Sequence, residues 1–495
     1  MMYGEEKSDS LIVAAKQANN PKGAESVERR SGAKGNAEQP HMRRTQSRES
    51  MSQRLSRVRE AAKQRKKERF TALFHLLTAE ALENAFLSLS RKAAAGVDGV
   101  RWKDYAENLK VNIADLHRRL HQGSYRAQPG RRHYIPKADG KQRPLGIASL
   151  EDKIVQYALV KILNAVYEND FMGFSYGFRP GRSQHNALDA LATGLVRTNV
   201  NWVLDADISQ FFDKVSHEWL IRFIEHRIGD QRVIRLIRKW LTAGTSEEGE
   251  WRASEECTPQ GAVISPLLAN IYLHYVFDLW AHQWRRRHAT GNVVMVRYAD
   301  DIVIGFDKRI DAQCFRIAMQ RRLKEFGLTV HPKKTRLTEF GRFAAENRAS
   351  RGKGKPETFN FLGFTHMSGK DRSGRFMLIR KTRRDRMTAT LKAIKDGLRK
   401  RWHYSIPEQG KWLRRVVQGY LNYHSVPGNY PMMRKFRIYV TDLWRRALRR
   451  RSQQDDTTWT KANRLAAVWL PKVRVLHPWP VERFTARHPR QEPGA

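Results

Sequence analysis

The run Val293-Val-Met-Val-Arg-Tyr-Ala-Asp-Asp-Ile-Val-Ile-Gly-Phe306 constrains this chain more than any other. Two apolar, β-branched stretches flank a pair of adjacent aspartates. The pattern predicts two buried strands joined by a tight turn that presents Asp300 and Asp301. Adjacent carboxylates at a hairpin tip repel each other unless cations sit between them. A second run, Val203-Leu-Asp-Ala-Asp-Ile-Ser-Gln-Phe-Phe-Asp213, reads as a strand ending on Asp207 with aromatic residues just beyond. Set beside the hairpin, Asp207 completes an all-oxygen site suited to Mg²⁺, with Mn²⁺ as the expected substitute. Two such ions, ~4 Å apart, activate a hydroxyl nucleophile and stabilise a leaving pyrophosphate in one in-line displacement. An Asp-Asp pair alone is a common polar turn. The apolar flanks and the Asp207 strand set this one apart.

Charge narrows the partners. Ninety-two Lys and Arg against fifty Asp and Glu leave +42, with an isoelectric point near 10.6. Such an imbalance concentrates polyanions, and together with the carboxylate runs it favours nucleic acid over an anionic membrane. The two cysteines, Cys257 and Cys314, exclude a disulfide framework and a Cys-rich zinc site, and fit a reducing compartment. The apolar stretch Leu11–Ala15 is too short for a signal core. No run approaches the ~20 apolar residues of a membrane helix. A soluble protein of the bacterial cytoplasm, associated with nucleic acid, is expected.

The chain exceeds one ordinary domain. Residues 1–50, rich in Gly, Ser, Gln, Asn, Lys and Arg, are expected to form a disordered basic tail. From Met51 to Leu89 the apolar spacing turns helical, and Gly96-Val-Asp-Gly99 reads as a turn. Residues 100–370 alternate short β-like runs with helical ones, which predicts a mixed α/β unit. Leu150–Tyr167 and Ser216–Leu241 read as helices, and Ala344–Pro356 as a polar loop. Beyond Lys381 the chain becomes helical, basic and Trp-rich, so a boundary is placed near residue 375. The expected units are 51–375, then a helical unit over 376–485, then a short tail over 486–495.

Tyr298-Ala-Asp-Asp301 resembles the signature of reverse transcriptases in the form typical of group II intron proteins. The resemblance continues in order over roughly residues 70–485, through Gly96–Val100, Ile135–Ile147, Ser175-Tyr-Gly-Phe-Arg-Pro-Gly-Arg182, Thr258–Asn270, Gly327–Thr335 and Phe361-Leu-Gly-Phe364. It implies a right-hand polymerase fold, α/β fingers and palm followed by an α-helical thumb and maturase region. It implies Asp207, Asp300 and Asp301 as the catalytic metal ligands. Arg143 would clamp the incoming triphosphate through planar bidentate contacts. Lys137 would assist it or hold template phosphates, and Gln260 would meet the nucleotide. Phe212 matches the family's steric gate, a ring that excludes a ribose 2′-hydroxyl; its neighbour Phe211 is expected in the core. Lys334 resembles the lysine near the leaving phosphate, and Phe361, Leu362, Gly363 and Phe364 the primer grip.

The second half resembles the maturase region of the same family, through Arg415–Tyr423, Trp444–Arg451, Trp469-Leu-Pro471 and Leu476–Pro480. Arg445, Arg446, Arg449, Arg450 and Arg451, interleaved with Trp and Tyr, suit RNA phosphates and stacked unpaired bases. A solvated amphipathic helix is the plainer reading of the same arginines. His477 lacks ligand partners at metal spacing and reads as structural. The partners implied are the host group II intron RNA, an RNA template with a DNA primer, and target DNA, in a monomer or a dimer. The endonuclease domain common in the family is expected to be absent, so that a mobile intron would borrow its primer. A domesticated reverse transcriptase, a splicing factor with a dead polymerase and an RNA-dependent RNA polymerase remain as alternatives.

Overall fold

The structure, a computed structural model, describes residues 50–136, 142–247, 250–252, 261–451 and 457–487. Lys137, Gln260 and Cys257 lie outside the described residues, as do the expected basic tail before Ser50 and residues 488–495. The strands, in chain order, are β1 (Gly130–Pro136), β2 (Gln142–Ile147), β3 (Trp202–Asp207), β4 (Thr245–Glu247), β5 (Glu250–Arg252), β6 (Val293–Tyr298), β7 (Asp301–Phe306), β8 (Arg336–Glu339), β9 (Phe359–Phe361), β10 (Phe364–Lys370) and β11 (Phe376–Thr382). They form three sheets, in the orders β2-β1-β4-β5, β6-β7-β3-β8 and β11-β10-β9.

The β6-β7-β3-β8 sheet explains why its sequence lacks the polar alternation of a half-exposed sheet. Both faces are covered. On one side Met295, Leu204, Ile302 and Ile304 join a large core with Ile154, Leu159, Leu268 and Phe315 from the helices Leu150–Tyr167, Ser265–Leu273 and Arg309–Glu325. On the other side Val203, Val294, Val296 and Val303 meet Leu188, Leu191 and Leu195 of the helix Gln184–Arg197. Each such fully buried Val, Leu or Ile contributes about 1.5–3 kcal/mol. The hairpin is therefore held rigidly up to its tip.

The helix Leu150–Tyr167 runs as its periodicity predicts, with the Ser149 side chain accepting from the Asp152 amide at its start. The segment expected to be one helix over Ser216–Leu241 is two, His217–Glu225 and Gln231–Thr242. Gly229 interrupts it, and Asp230 then caps the second helix while also accepting the amides of Leu73 and Phe74 at 2.8 Å. Within Ala344–Pro356, expected to be a loop, Ala344–Ala349 forms a short helix. Its Ala-Ala-Glu-Asn-Arg-Ala composition favours that state despite the polar surroundings. Likewise Met51–Leu89 is not one helical stretch but the helices Met51–Gln64 and Ala79–Ser88, separated by a bridge at Phe70 and a 3₁₀ turn at Phe74–Leu76.

The β10–β11 hairpin carries the strand region to Thr382, past residue 375. Helices Arg384–Arg399, Ile406–His424, Tyr430–Arg449, Trp459–Trp469 and Pro480–Arg487 follow. The middle three, with Arg384–Arg399, enclose a separate core of Leu398, Leu413, Val417, Phe436, Val440 and Trp444. The last helix returns to the first unit, where Arg483 binds Asp189 on the helix Gln184–Arg197. No helix among the described residues is long and apolar enough to cross a membrane.

Candidate active site

The three carboxylates singled out in the sequence meet at one end of the central sheet. β6 and β7 pair antiparallel with Tyr298 opposite Asp301, so the turn between them is Ala299-Asp300. β3 pairs with β7 on its other side, and Asp207 is the register partner of Asp301. The strand period of two puts Asp205 on the same face as Asp207, and Asp205 lines a cleft with Asp300 and Asp301. The sequence reading missed Asp205, although the Asp-Ala-Asp spacing carries the signal.

Crowding shows in their protonation. Burial raises the Asp301 carboxyl to about 6; Asp300 and Asp207 add to this, and Lys334 and Arg383 oppose it. Burial raises Asp205 to about 7, reinforced by Asp301 and Asp207. Asp301 is nonetheless open to solvent at its rim, so the repulsion is partly screened. The set calls for cations. Lys334 supplies one, with its ammonium 2.6 Å from Asp207 Oδ2. Lys334 reaches that carboxylate because its loop is stitched to the strand end: the His331 amide donates to Asp207 O at 2.7 Å, and the Ser209 amide to Thr329 O at 2.8 Å. Among the described residues no group of three or more His, Cys, Asp or Glu is drawn tightly enough to grip an ion by itself. The fit of a divalent ion rests on the donor set: clustered hard oxygens, mutual repulsion, and a cation already drawn to one of them.

The turn is anchored from beneath by a network that the sequence reading did not foresee. Arg297, fully buried, pairs with the fully buried Asp278 at 2.5 Å. It also donates to Ser175 Oγ at 2.7 Å, to Asn270 Oδ1 at 3.1 Å and to the Ala299 carbonyl at 3.0 Å. The Ser175–Arg182 segment lies against the same turn: the Tyr176 amide donates to Arg297 O, and a Cβ on Gly177 would collide with the Ala299 amide nitrogen.

Backbone strain maps the site independently. Among the described residues the non-glycine residues with positive φ are Phe178 (57°), Gln210 (47°), Ala299 (56°) and Leu362 (44°). Gln210 follows Asp207 by three residues, and the other three line one cleft of about 460 Å³ with Asp300 and Asp301. Such conformations cost about 1–3 kcal/mol each and persist where packing over-determines them, commonly at functional sites.

Phe211 is buried, and Phe212 is half-buried with its ring 5.3 Å from that of Phe211. Arg143 sits on β2 opposite Ile135; its side chain lies outside the described residues. Phe361 and Phe364 are buried in the core, and Phe361 lines the cleft together with the Leu362-Gly363 turn between them. Tyr423 donates to the Leu362 carbonyl at 2.8 Å, and the Arg383 amide to the Gly363 carbonyl at 3.1 Å, tying this turn to the helical unit. Arg383 and Arg386 add positive charge to the cleft wall.

Arg446, Arg449, Arg450 and Arg451 are exposed. Arg445 is half-buried, pairs with Asp442 at 3.0 Å and lies over the Trp459 ring. Trp444, beside these arginines in the chain, is buried: the ring is 1% exposed and its indole N–H donates to Gln409 at 2.9 Å. His477 accepts from Arg483 at one ring nitrogen, and its other nitrogen lies 2.7 Å from the Asn422 carbonyl.

The site is thus a buried two-faced sheet that ends in clustered aspartates beside a strained cleft wall. Residues 135–366 match the family model described as reverse transcriptase (RNA-dependent DNA polymerase). That segment, just under half of the chain, is therefore similar to the reverse transcriptase domain, a family with the palm and fingers fold. It is 43% identical over 206 residues to Protein YkfC of Escherichia coli, covering 41% of this chain and 54% of that one. It is 37% identical over 223 residues to the group II intron-encoded protein LtrA of Lactococcus lactis, covering 44% and 37%. To an uncharacterized 91 kDa protein in the cob intron of Schizosaccharomyces pombe it is 42% identical over 172 residues, covering 34% and 21%. The chain thus spans about half of the first relative's length and less of the other two. The segment is thus similar to reverse transcriptases, a group II intron-encoded protein among them.

Proposed function

We propose that the protein is an RNA-directed DNA polymerase that also binds its host group II intron RNA and promotes its splicing and mobility. The observation that carries this reading is the convergence of Asp207, Asp300 and Asp301 at one sheet end within a reverse transcriptase domain. In this reading those three carboxylates would hold divalent metal, Mg²⁺ by the chemistry of their oxygens. When bound, the metal would activate the primer 3′-hydroxyl and stabilise the leaving pyrophosphate. Lys334 would move from Asp207 to the departing phosphate charge. Phe212 would limit the sugar to deoxyribose, with Arg143, Lys137 and Gln260 meeting the nucleotide. The Leu362-Gly363 turn would support the primer, and the helical unit after Thr382 would act as thumb and maturase region.

The second activity is binding, and the ribozyme itself would perform the splicing chemistry. The exposed arginines of the segment 446–451 supply contacts to phosphate. The test is to crosslink the protein at its native locus and sequence the RNA it retains. One dominant species that folds as an excised intron containing this gene is the expected result. A broad mixture of cellular RNAs would refute the maturase half and favour a domesticated reverse transcriptase.

A further inference from the structure

Of the four strained residues around the site, three belong to segments with an evident task. Ala299 makes the aspartate turn, Gln210 turns the chain toward Phe212, and Leu362 faces the cleft between two core phenylalanines. Phe178 has none of these tasks. It is 52% exposed, a large apolar ring in a backbone conformation that L side chains rarely adopt.

Its neighbours explain how it is held there. Gly177 is pressed against the Ala299 backbone, and its carbonyl accepts from Asn270 Nδ2 at 2.7 Å. Arg179, 5% exposed, is paired with Glu168 at 2.9 Å and donates to the Met172 and Ser175 carbonyls at 2.8 Å. Two buried, fully engaged residues thus fix the chain on either side, and the ring between them is turned outward. It stands 6.4 Å from the Tyr298 ring, tilted by 45°, on the wall of the cleft that holds Asp300 and Asp301. Leu362, Arg383 and Arg386 line the same cleft. The cleft thus offers an aromatic ring for a sugar or base and guanidinium groups for a phosphate, together with the carboxylates of Asp300 and Asp301.

We propose that Phe178 is a platform for the nucleotide at the primer's 3′ end, packing against its base and sugar so that the 3′-hydroxyl faces the aspartates. This rests on the polymerase reading above and adds to it a substrate-contacting residue and the part of the substrate it touches. Base–aromatic contacts tolerate any sequence, as a primer terminus requires.

The test compares F178N, F178G and F178Y with the wild-type chain. Asn and Gly accept positive φ more readily than Phe, so both variants relieve strain while removing the ring. The expected result is an unchanged or raised melting temperature together with primer–template affinity weakened about 5- to 100-fold. The KM for the incoming nucleotide should change little, and F178Y should restore affinity. The slope of affinity against salt should stay that of the wild type, because a ring releases no counterions. Affinity within twofold of wild type would overturn the proposal. Affinity lost together with melting temperature would assign Phe178 to the fold and overturn it as well. Binding is read separately from extension, so a wild-type chain that binds but does not extend counts against the polymerase reading and leaves the comparison of variants standing.

Discussion

Replacing Arg297 by methionine tests whether the aspartate turn is held from below. Both members of the Arg297–Asp278 pair are fully buried, and Arg297 donates to three further groups. Methionine fills similar space and removes every donor. Asp278 is left as a buried acid without its ion-pair partner, with the charge of Arg179 as a weaker compensation, and Ser175 Oγ, Asn270 Oδ1 and the Ala299 carbonyl each lose a donor. Breaking a buried pair from one side costs about 3–5 kcal/mol. At about 2–4 °C per kcal/mol for units of 150–250 residues, melting should fall by about 6–20 °C. Burial already pushes the Asp278 carboxyl up, with Arg297 opposing that rise. Without Arg297 its folded pKa climbs further, so the deficit should shrink toward acid and grow as pH rises through that value. D278N removes the stranded charge, and the R297M/D278N double variant should be less damaged than the two single effects summed. Chemical denaturation of the four proteins across pH measures all of this, and primer extension should show reduced turnover in R297M. A stability loss below about 1 kcal/mol, or strictly additive effects, would refute the anchoring role.

Asp205 and Asp301 bind protons more tightly in the folded state than free carboxylates do, at about 7 and about 6. Metal and proton compete for them, so the Mg²⁺ concentration for half-maximal activity should rise steeply below about pH 6–7 and level off above it; a requirement that stays flat from about pH 5.5 to 8 would contradict the clustering. F212V should admit ribonucleotides at least about 10-fold better relative to deoxyribonucleotides in single-nucleotide incorporation, with no change if the ring is only packing. Arg446→Gln with Arg450→Gln should weaken binding of folded intron RNA and lower the salt slope by about 0.7–0.9 for each phosphate no longer neutralised, leaving extension on a short primer–template unchanged.

Much of the site is legible in the sequence because its signals are local. The hairpin around Asp300 and Asp301 follows from two apolar runs and a short turn, and Asp207 ends a strand of the same kind. What stays hidden depends on distant residues. Arg297 reads as a charge interrupting a strand until Asp278, Asn270 and Ser175 converge on it. Trp444 sits in a basic stretch of the sequence, yet helical periodicity turns it inward onto Gln409. Phe361 and Phe364 adjoin Leu362 and Gly363 in the chain, but the strand ends bury the two rings, and Phe364 is left out of the cleft lining altogether. The split of Ser216–Leu241 comes from Asp230 capping the second helix and anchoring Leu73 and Phe74, across 157 and 156 residues of chain.

Single-turnover extension of a DNA primer on an RNA template, with Mg²⁺ and deoxynucleotides, tests the central claim most directly when wild type is compared with D300N. The variant keeps the shape of the turn and removes one charge from the carboxylate set. The expected result is RNA-templated DNA synthesis by the wild type and a rate at least about 10²–10³-fold lower in D300N, as for loss of a group that stabilises transition-state charge, with RNA binding retained. Equal rates in the two proteins, or no synthesis by the wild type on any RNA template, would contradict it.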